Sequence, residues 1–164
     1  MPEKQTLERA QKARQKGRSP STQAGEFVRE EIHHVREGKH GARSAKQVIA
    51  IGLSKARRAG VPLPPPKKGK VSEKTRRSAE LAYKAGQRRT SQINPRRSKA
   101  ILTVLKHEDH SAASSTALAR QTREASRKRT AAERSAAAQK AVETKGPAER
   151  SAAARKAART RAEG

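Results

Sequence analysis

Large apolar residues are scattered singly along most of this chain, but in residues 44–60 (SAKQVIAIGLSKARRAG) they fall into step. Ala45, Val48, Ile49, Gly52, Leu53 and Ala56 recur at spacings of three and four, the stripe of a one-sided helix. Ser44 and Gln47 form the Ser-x-x-Gln pattern of a capping box. Gly60 stands where a left-handed cap residue belongs, Val61 can supply the accompanying apolar contact, and Pro62 forbids continuation. Upstream, residues 26–38 (EFVREEIHHVREG) place Val28, Ile32 and Val35 on one side with Phe27 beside them. Glu26, Glu30 and Glu31 suit the positive N-terminal end of that helix, and Gly38 ends it. The link at 39–43 is five residues long, so the two helices (about 26–37 and 45–59) are expected as an antiparallel or steeply angled hairpin. Its expected core is Phe27, Val28, Ile32 and Val35 against Val48, Ile49 and Leu53, with Gly52 and Ala56 letting the axes approach.

The remaining segments have weaker patterns. Residues 6–16 read as a short basic helix with Leu7 as its one large apolar residue, and 18–25 read as a loop, so 1–25 is expected as a flexible basic arm. Residues 61–71 (VPLPPPKKGKV) read as a stiff polyproline-type linker. Residues 72–110 carry two weak helices. The first has Ala79, Ala82 and Tyr83 on its face, with Leu81 nearby; the second opens at Asn94-Pro95 and carries Ile101, Leu102 and Leu105. A lone two-helix hairpin is marginal, so either residues 95–106 dock on it or two copies pair through it as a homo-oligomer. In the tail, residues 111–164, 18 of 54 positions are alanine and only Leu118 and Val142 are large and apolar. Within the tail, 132–141 (AERSAAAQKA) recurs as 148–157 (AERSAAARKA) with nine of ten residues identical, preceded by Thr130 and Pro147 respectively. Helix propensity is high and no apolar face exists, so the tail is expected as disordered or fluctuating helix that firms when its cations are neutralised.

Composition narrows the class to all-α with a small core. Only 20 of 164 residues are Leu, Ile, Val or Phe, too few to offset backbone ordering of roughly 1–2 kcal/mol per residue over the whole length. Charge says more about partners. The net charge is +25, distributed as +8, +9 and +8 over residues 1–60, 61–110 and 111–164. A chain basic in every third suits an extended polyanion rather than one anionic ligand in a pocket. Anionic membrane is the competitor, but a membrane-surface helix needs Trp, Phe or Leu opposite its charges, and this chain has no Trp and one Phe. The longest apolar run, 48–53, cannot span a bilayer. The first residues lack the apolar centre of a secretory signal, and cysteine is absent, so a cytoplasmic protein without disulfides or Cys-based metal sites is expected.

Catalysis finds little to work with. His33, His34, His40, His107 and His110 include no His-x-x-x-His pair on one helix face; His33 and His40 flank the turn with Glu37 as a conceivable third ligand. They are read as solvent-exposed, with no catalytic residues, no metal and no cofactor. No phosphate-binding loop or nucleophile elbow occurs, so the chain is not expected to be an enzyme. Short patterns at 66–71 (nuclear import) and 62–67 (polyproline recognition) are read as chance matches in a Lys- and Pro-rich linker, and 88–91 (basic-directed phosphorylation) as an equally short match. Single-strand readers stack bases on aromatic side chains, and only Phe27 and Tyr83 are offered, so phosphate contact with duplex DNA is favoured over RNA. Near the hairpin the expected contacts are Lys39, Arg43, Lys46, Lys55, Arg57 and Arg58; in the tail they are Arg127, Lys128, Arg129, Arg134, Lys140, Arg150, Arg155, Lys156, Arg159 and Arg161. The alternatives are an RNA- or ribosome-associated protein, a protein-interaction adaptor and a stress-related hydrophilic protein.

Lys39-His40-Gly41, followed by residues 46–54 (KQVIAIGLS) and Ala56-Arg57, resembles the signature of a family of small, basic bacterial proteins without an established activity. That signature is a Lys-His-Gly turn leading into a Lys-Gln-Ala-Ile-Ala-Ile-Ala-Leu-Ser-x-Ala-Arg helix; here Val48 and Gly52 stand where Ala is common. The resemblance covers residues 26–60 and implies a bacterial cytoplasmic origin, not a mechanism. The tail is similar in composition to those of linker histones and bacterial histone-like proteins, which suggests a nucleoid location.

Overall fold

The computed structural model describes residues 2–88, 94–144 and 146–163; the pattern at 88–91 falls mostly outside them. Among the described residues the chain is all α: α1 Lys4–Gln15, α2 Pro20–Arg36, α3 Ala45–Arg58, α4 Glu73–Gln87, α5 Pro95–Lys106, α6 Ser115–Arg127, α7 Ala131–Thr144 and α8 Pro147–Ala162. A single 3-10 turn, Ser111–Ala113, lies between α5 and α6. Contacts divide the chain into two units, residues 1–121 and 122–164.

The hairpin of α2 and α3 organises the first unit. Ser44 accepts from the Gln47 N–H, and the Gln47 side chain accepts from the Arg43 N–H, one residue before the expected partner of the box. Gly38 and Gly60 both take positive φ, +73° and +86°, where each helix has just ended. A Cβ on Gly52 would sit 2.6 Å from Val28 Cα and 3.0 Å from the Phe27 carbonyl oxygen, so here the two backbones meet directly. Phe27, Val35 and Val48 are fully buried, whereas Val28, Ile32, Ile49 and Leu53 are half-buried. The apolar contacts form two small clusters. One gathers Ala10, Ala24, Phe27, Ala56 and Val61 with Leu53 and Leu63; the other gathers Val35, Ala42, Val48, Ala112 and Ala113 with Ile32.

Several segments expected to hang loose belong to this unit. Residues 1–25 are not a free arm. α2 begins at Pro20, with Ser19 as a cap accepting from the Thr22 N–H, the same Ser/Asn-Pro start signal as at Asn94-Pro95. α1 packs on α2 through Thr6 and Ala10, both buried, while Leu7 faces outward. A contact face of Thr and Ala gives no hydrophobic signal in sequence, and polar links reinforce it: the Glu3 N–H donates to Glu30 Oε2, and Arg9 pairs with Glu26 at 3.0 Å. The proline-rich 61–71 segment is not a spacer either. Val61 is buried, Leu63 packs on the first cluster, and the Leu63 and Pro64 carbonyls accept from Arg57.

α4 then lies on α3 through Ala79, Ala82 and Gly86, leaving Leu81 exposed. A Cβ on Gly86 would fall 1.8 Å from the Arg57 carbonyl oxygen, so only glycine permits that approach. α5 does not dock by its apolar stripe, since Ile101, Leu102 and Val104 stay exposed. Its end is tied down by backbone instead. The Gly41 N–H donates to the Leu105 carbonyl and the Ala42 N–H to the Asp109 carbonyl.

In the second unit, α7 and α8 occupy the two repeat copies. Thr130 and Glu133 cap α7 reciprocally, each side chain accepting from the other's N–H, and Pro147 opens α8. The structure therefore gives helix where disorder or fluctuating helix was the expectation. The described side chains of α7 and α8 are exposed on every face.

Candidate nucleic-acid interface

Folding engages most of the hairpin cations in internal bonds. Arg57 is buried; its Nε and Nη2 donate to the Leu63 and Pro64 carbonyls, and burial pushes its guanidinium below the ordinary value. Lys55 donates to Glu30 Oε1 at 3.1 Å and pairs closely with Glu31 Oε1. Lys39 bridges Glu3 and Glu37 at 3.2 and 3.1 Å, and the Glu37 and Glu3 bonds raise its ammonium above the ordinary value. Arg43 pairs with Glu108 at 2.8 Å, which raises its guanidinium in the same way. The expectation that Lys55 and Arg57 face phosphate is therefore corrected: one neutralises buried carboxylates and the other holds the proline-rich segment. The reason is tertiary, because both sit in the last turn of α3 and meet partners from α2 and from residues 63–64 only once the chain has folded back. Lys46 and Arg58 are exposed.

A different grouping emerges around Arg58. The C-terminal ends of α1, α3 and α4 converge on a shallow cleft of about 470 Å³, lined by Arg14, Arg58, Ala59, Gly60, Pro62, Gly86 and Gln87. Arg14 and Arg58 are exposed there. Arg14 is not legible as a contact in the sequence, where residues 1–25 look like a free arm. Nothing within that segment reveals that its helix ends beside α3.

In the second unit, Arg127, Lys128, Arg129, Arg134, Lys140, Arg150, Arg155, Lys156, Arg159 and Arg161 are all exposed. Their few local bonds leave them at the surface: Arg134 donates to the Arg129 carbonyl and Arg155 to Ser151 Oγ. On α8 the cations at 150, 155, 156, 159 and 161 point around the whole circumference at 100° per residue. Such a helix can meet phosphates from any side but presents no single reading face.

Between the two apolar clusters α2 buries polar residues, which carry no hydrophobic signal in the sequence. Glu30 and Glu31 are buried in α2. Burial pushes the Glu30 carboxyl up, but bonds from the Thr6 hydroxyl, the Glu3 N–H and Lys55 outweigh it and hold it below the ordinary range. Glu31 is fully buried between two histidines. His34 Nδ1 lies 3.4 Å from its Oε1, and His40 Nε2 lies 3.4 Å from its Oε2. The rings of His34 and His40 meet edge to face, with centroids 6.2 Å apart. The reading of all five histidines as solvent-exposed is thus corrected: His40 is buried and His34 half-buried, while His33, His107 and His110 are exposed. The sequence signal was a Glu-x-x-His pair on α2 followed by a His six residues on, beyond the helix end.

The chain is similar over residues 4–68 to a family of unknown function (DUF6496). The match runs from the start of α1 through the proline-rich segment, less than half of the 164 residues. It covers the hairpin, and it includes α1, in keeping with the docking of that helix. No curated protein and no solved structure matches the chain. Among the described residues, no helix is long and apolar enough to cross a membrane.

Proposed function

We propose that this protein binds nucleic acid through phosphate contacts, largely without sequence preference, with duplex DNA as the favoured polymer and the bacterial nucleoid as its place of action. The observation that carries this reading is the exposure of the ten tail cations named above, most of them on α7 and α8, whose described side chains show no apolar face to bury. A solvated +25 chain pays an electrostatic penalty for self-repulsion that a polyanion removes, and neutralised phosphates release condensed counterions. Arg14 and Arg58, exposed around one cleft, add a second anchoring point within the first unit. Base stacking has little support. Phe27 is buried in the hairpin core, which leaves the half-buried Tyr83 as the chain's other aromatic ring. Backbone contact without base readout follows from that chemistry. No catalytic role is included in the reading.

The test is a titration of the full chain into a fluorescent duplex at several salt concentrations. With about six phosphates neutralised, affinity should fall roughly 1,000-fold between about 50 and 200 mM salt, at a slope near −0.9 per phosphate. Replacing Arg150, Arg155, Lys156, Arg159 and Arg161 together by Gln should make that slope shallower. Absence of binding at low salt, or binding indifferent to salt, refutes the reading. Preference for structured RNA in direct competition transfers it to the RNA-associated class.

A further inference from the structure

We propose that Glu31, His34 and His40 form a binding site for one divalent metal ion of the imidazole-preferring class, with Zn²⁺ the best fit. Glu31 and His34 stand one turn apart on the same face of α2, and the chain reversal after Gly38 returns His40 to them. One ligand atom from each lies within 4.8 Å of the other two. The separations are of the size this chemistry needs. Metal–ligand bonds of about 2.0–2.1 Å in a tetrahedral arrangement put neighbouring ligand atoms about 3.3 Å apart; His40 Nε2 lies 3.4 Å from Glu31 Oε2, and His34 Nδ1 lies 3.4 Å from the other oxygen of the same carboxylate.

The decisive feature is how the outer atoms are engaged. His34 Nε2 lies 2.8 Å from Glu3 Oε1, and His40 Nδ1 lies 3.0 Å from the Gly41 carbonyl oxygen. A carboxylate and a carbonyl can only accept, so these outer nitrogens carry the hydrogens. In the neutral rings, the inner nitrogens then hold bare lone pairs pointing toward Glu31. Glu31 Oε1 is taken by Lys55, while Oε2, on a fully buried side chain, has no hydrogen-bond partner. Three lone-pair donors therefore converge, and none of them carries a hydrogen to offer another. Each ligand is also held from behind, by Glu3, by the Gly41 carbonyl and by Lys55, as the outer partners of bound metals typically hold theirs. Two imidazoles and one carboxylate exclude Ca²⁺ and Mg²⁺, which require mostly oxygen ligands, and suit Zn²⁺ or Co²⁺ with a fourth position left for water. A cleft of about 200 Å³, lined in part by Glu3, His34 and Lys39, opens beside His34. The bound ion would fasten the turn to α2; it is independent of phosphate contact.

The experiment uses the full chain free of any histidine tag, stripped with a chelator and titrated with Zn²⁺ against a chromogenic competitor, and with Co²⁺ followed by its visible absorption. One equivalent of Zn²⁺ and the intense bands of near-tetrahedral Co²⁺ are expected. His34→Gln and His40→Gln should each abolish both signals, whereas His33→Gln and His107→Gln should leave them unchanged. Should a ligand variant fail to fold, Glu3→Gln decides. This surface change, which removes the charge behind His34 together with the exposed ion pair to Lys39, should weaken Zn²⁺ binding about 10- to 100-fold. The proposal is overturned by no stoichiometric binding, by binding that survives both ligand substitutions, or by unchanged affinity in Glu3→Gln. Ring nitrogen spectra showing hydrogens on both nitrogens of His34 and His40 in the presence of Zn²⁺ would overturn it as well, assigning the space between the donors to protons.

Discussion

Gly52→Ala and Gly25→Ala place the same methyl group on the two helices of one hairpin and should move stability in opposite directions. At Gly52 the new Cβ would lie 2.6 Å from Val28 Cα, 2.9 Å from Val28 N and 3.0 Å from the Phe27 carbonyl oxygen. All three are backbone atoms, so no rotamer change can relieve the overlap. To restore an ordinary 3.4 Å contact, α3 must move away from α2 by about 0.8 Å. A gap of that size forfeits a quarter to a half of the dispersion energy at each separated contact along the hairpin. Overpacking of this kind typically costs about 1–3 kcal/mol, and the upper end applies where backbone meets backbone. The gain in helix propensity from Gly to Ala returns about 1 kcal/mol. The net expectation is a loss of about 2 kcal/mol, or roughly 8 °C in melting temperature for a unit of this size. At Gly25, which lies inside α2, nothing stands within 4 Å of the new Cβ, so only the propensity term acts. Gly25→Ala should gain about 0.5–1 kcal/mol. Urea and thermal unfolding of the full chain, followed by circular dichroism, would measure both. A Gly52→Ala protein as stable as the Gly25→Ala protein would refute direct backbone packing of α2 on α3.

Other expectations follow from the buried charges. Arg57→Ala removes two donors to the Leu63 and Pro64 carbonyls and should destabilise the first unit by about 2–3 kcal/mol in urea unfolding, whereas the exposed Arg58→Ala should change it by less than about 0.5 kcal/mol. Because the folded-state pKa of Glu30 is depressed, its contribution is fully present above the ordinary carboxylate value and is lost as pH falls through the lowered one. Unfolding midpoints measured across the acid range should therefore show a steeper decline in the parent than in Glu30→Gln, and parallel declines would count against the bonds from Thr6, Glu3 and Lys55.

What the sequence by itself determined is the set of local decisions: where helices start, where they stop, and that the protein is all α. Ser44 with Gln47, Gly38, Gly60, Asn94-Pro95, Thr130 and Pro147 act through hydrogen bonds and backbone preferences spanning a few residues, so their effect is visible in the chain itself. The stripes of α2 and α3 are likewise legible because large apolar residues announce a buried face. The tertiary structure alone decided which weak segments would join them. α1 docks through Thr6 and Ala10, and α4 docks through Ala79, Ala82 and Gly86; faces this small have no pattern distinguishable from an exposed surface until a complementary backbone lies opposite. It also decided the fate of the charges. Lys55 and Arg57 are three and one residues from the exposed Arg58, yet one meets Glu30 and Glu31 and the other the Leu63 and Pro64 carbonyls, while Arg58 stays exposed. The Glu31, His34 and His40 constellation arose in the same way. Its members span a helix end: the His40 ring is oriented by the adjacent Gly41 carbonyl, but His34 is oriented by Glu3, and His40 meets Glu31 and His34, only after the chain has folded.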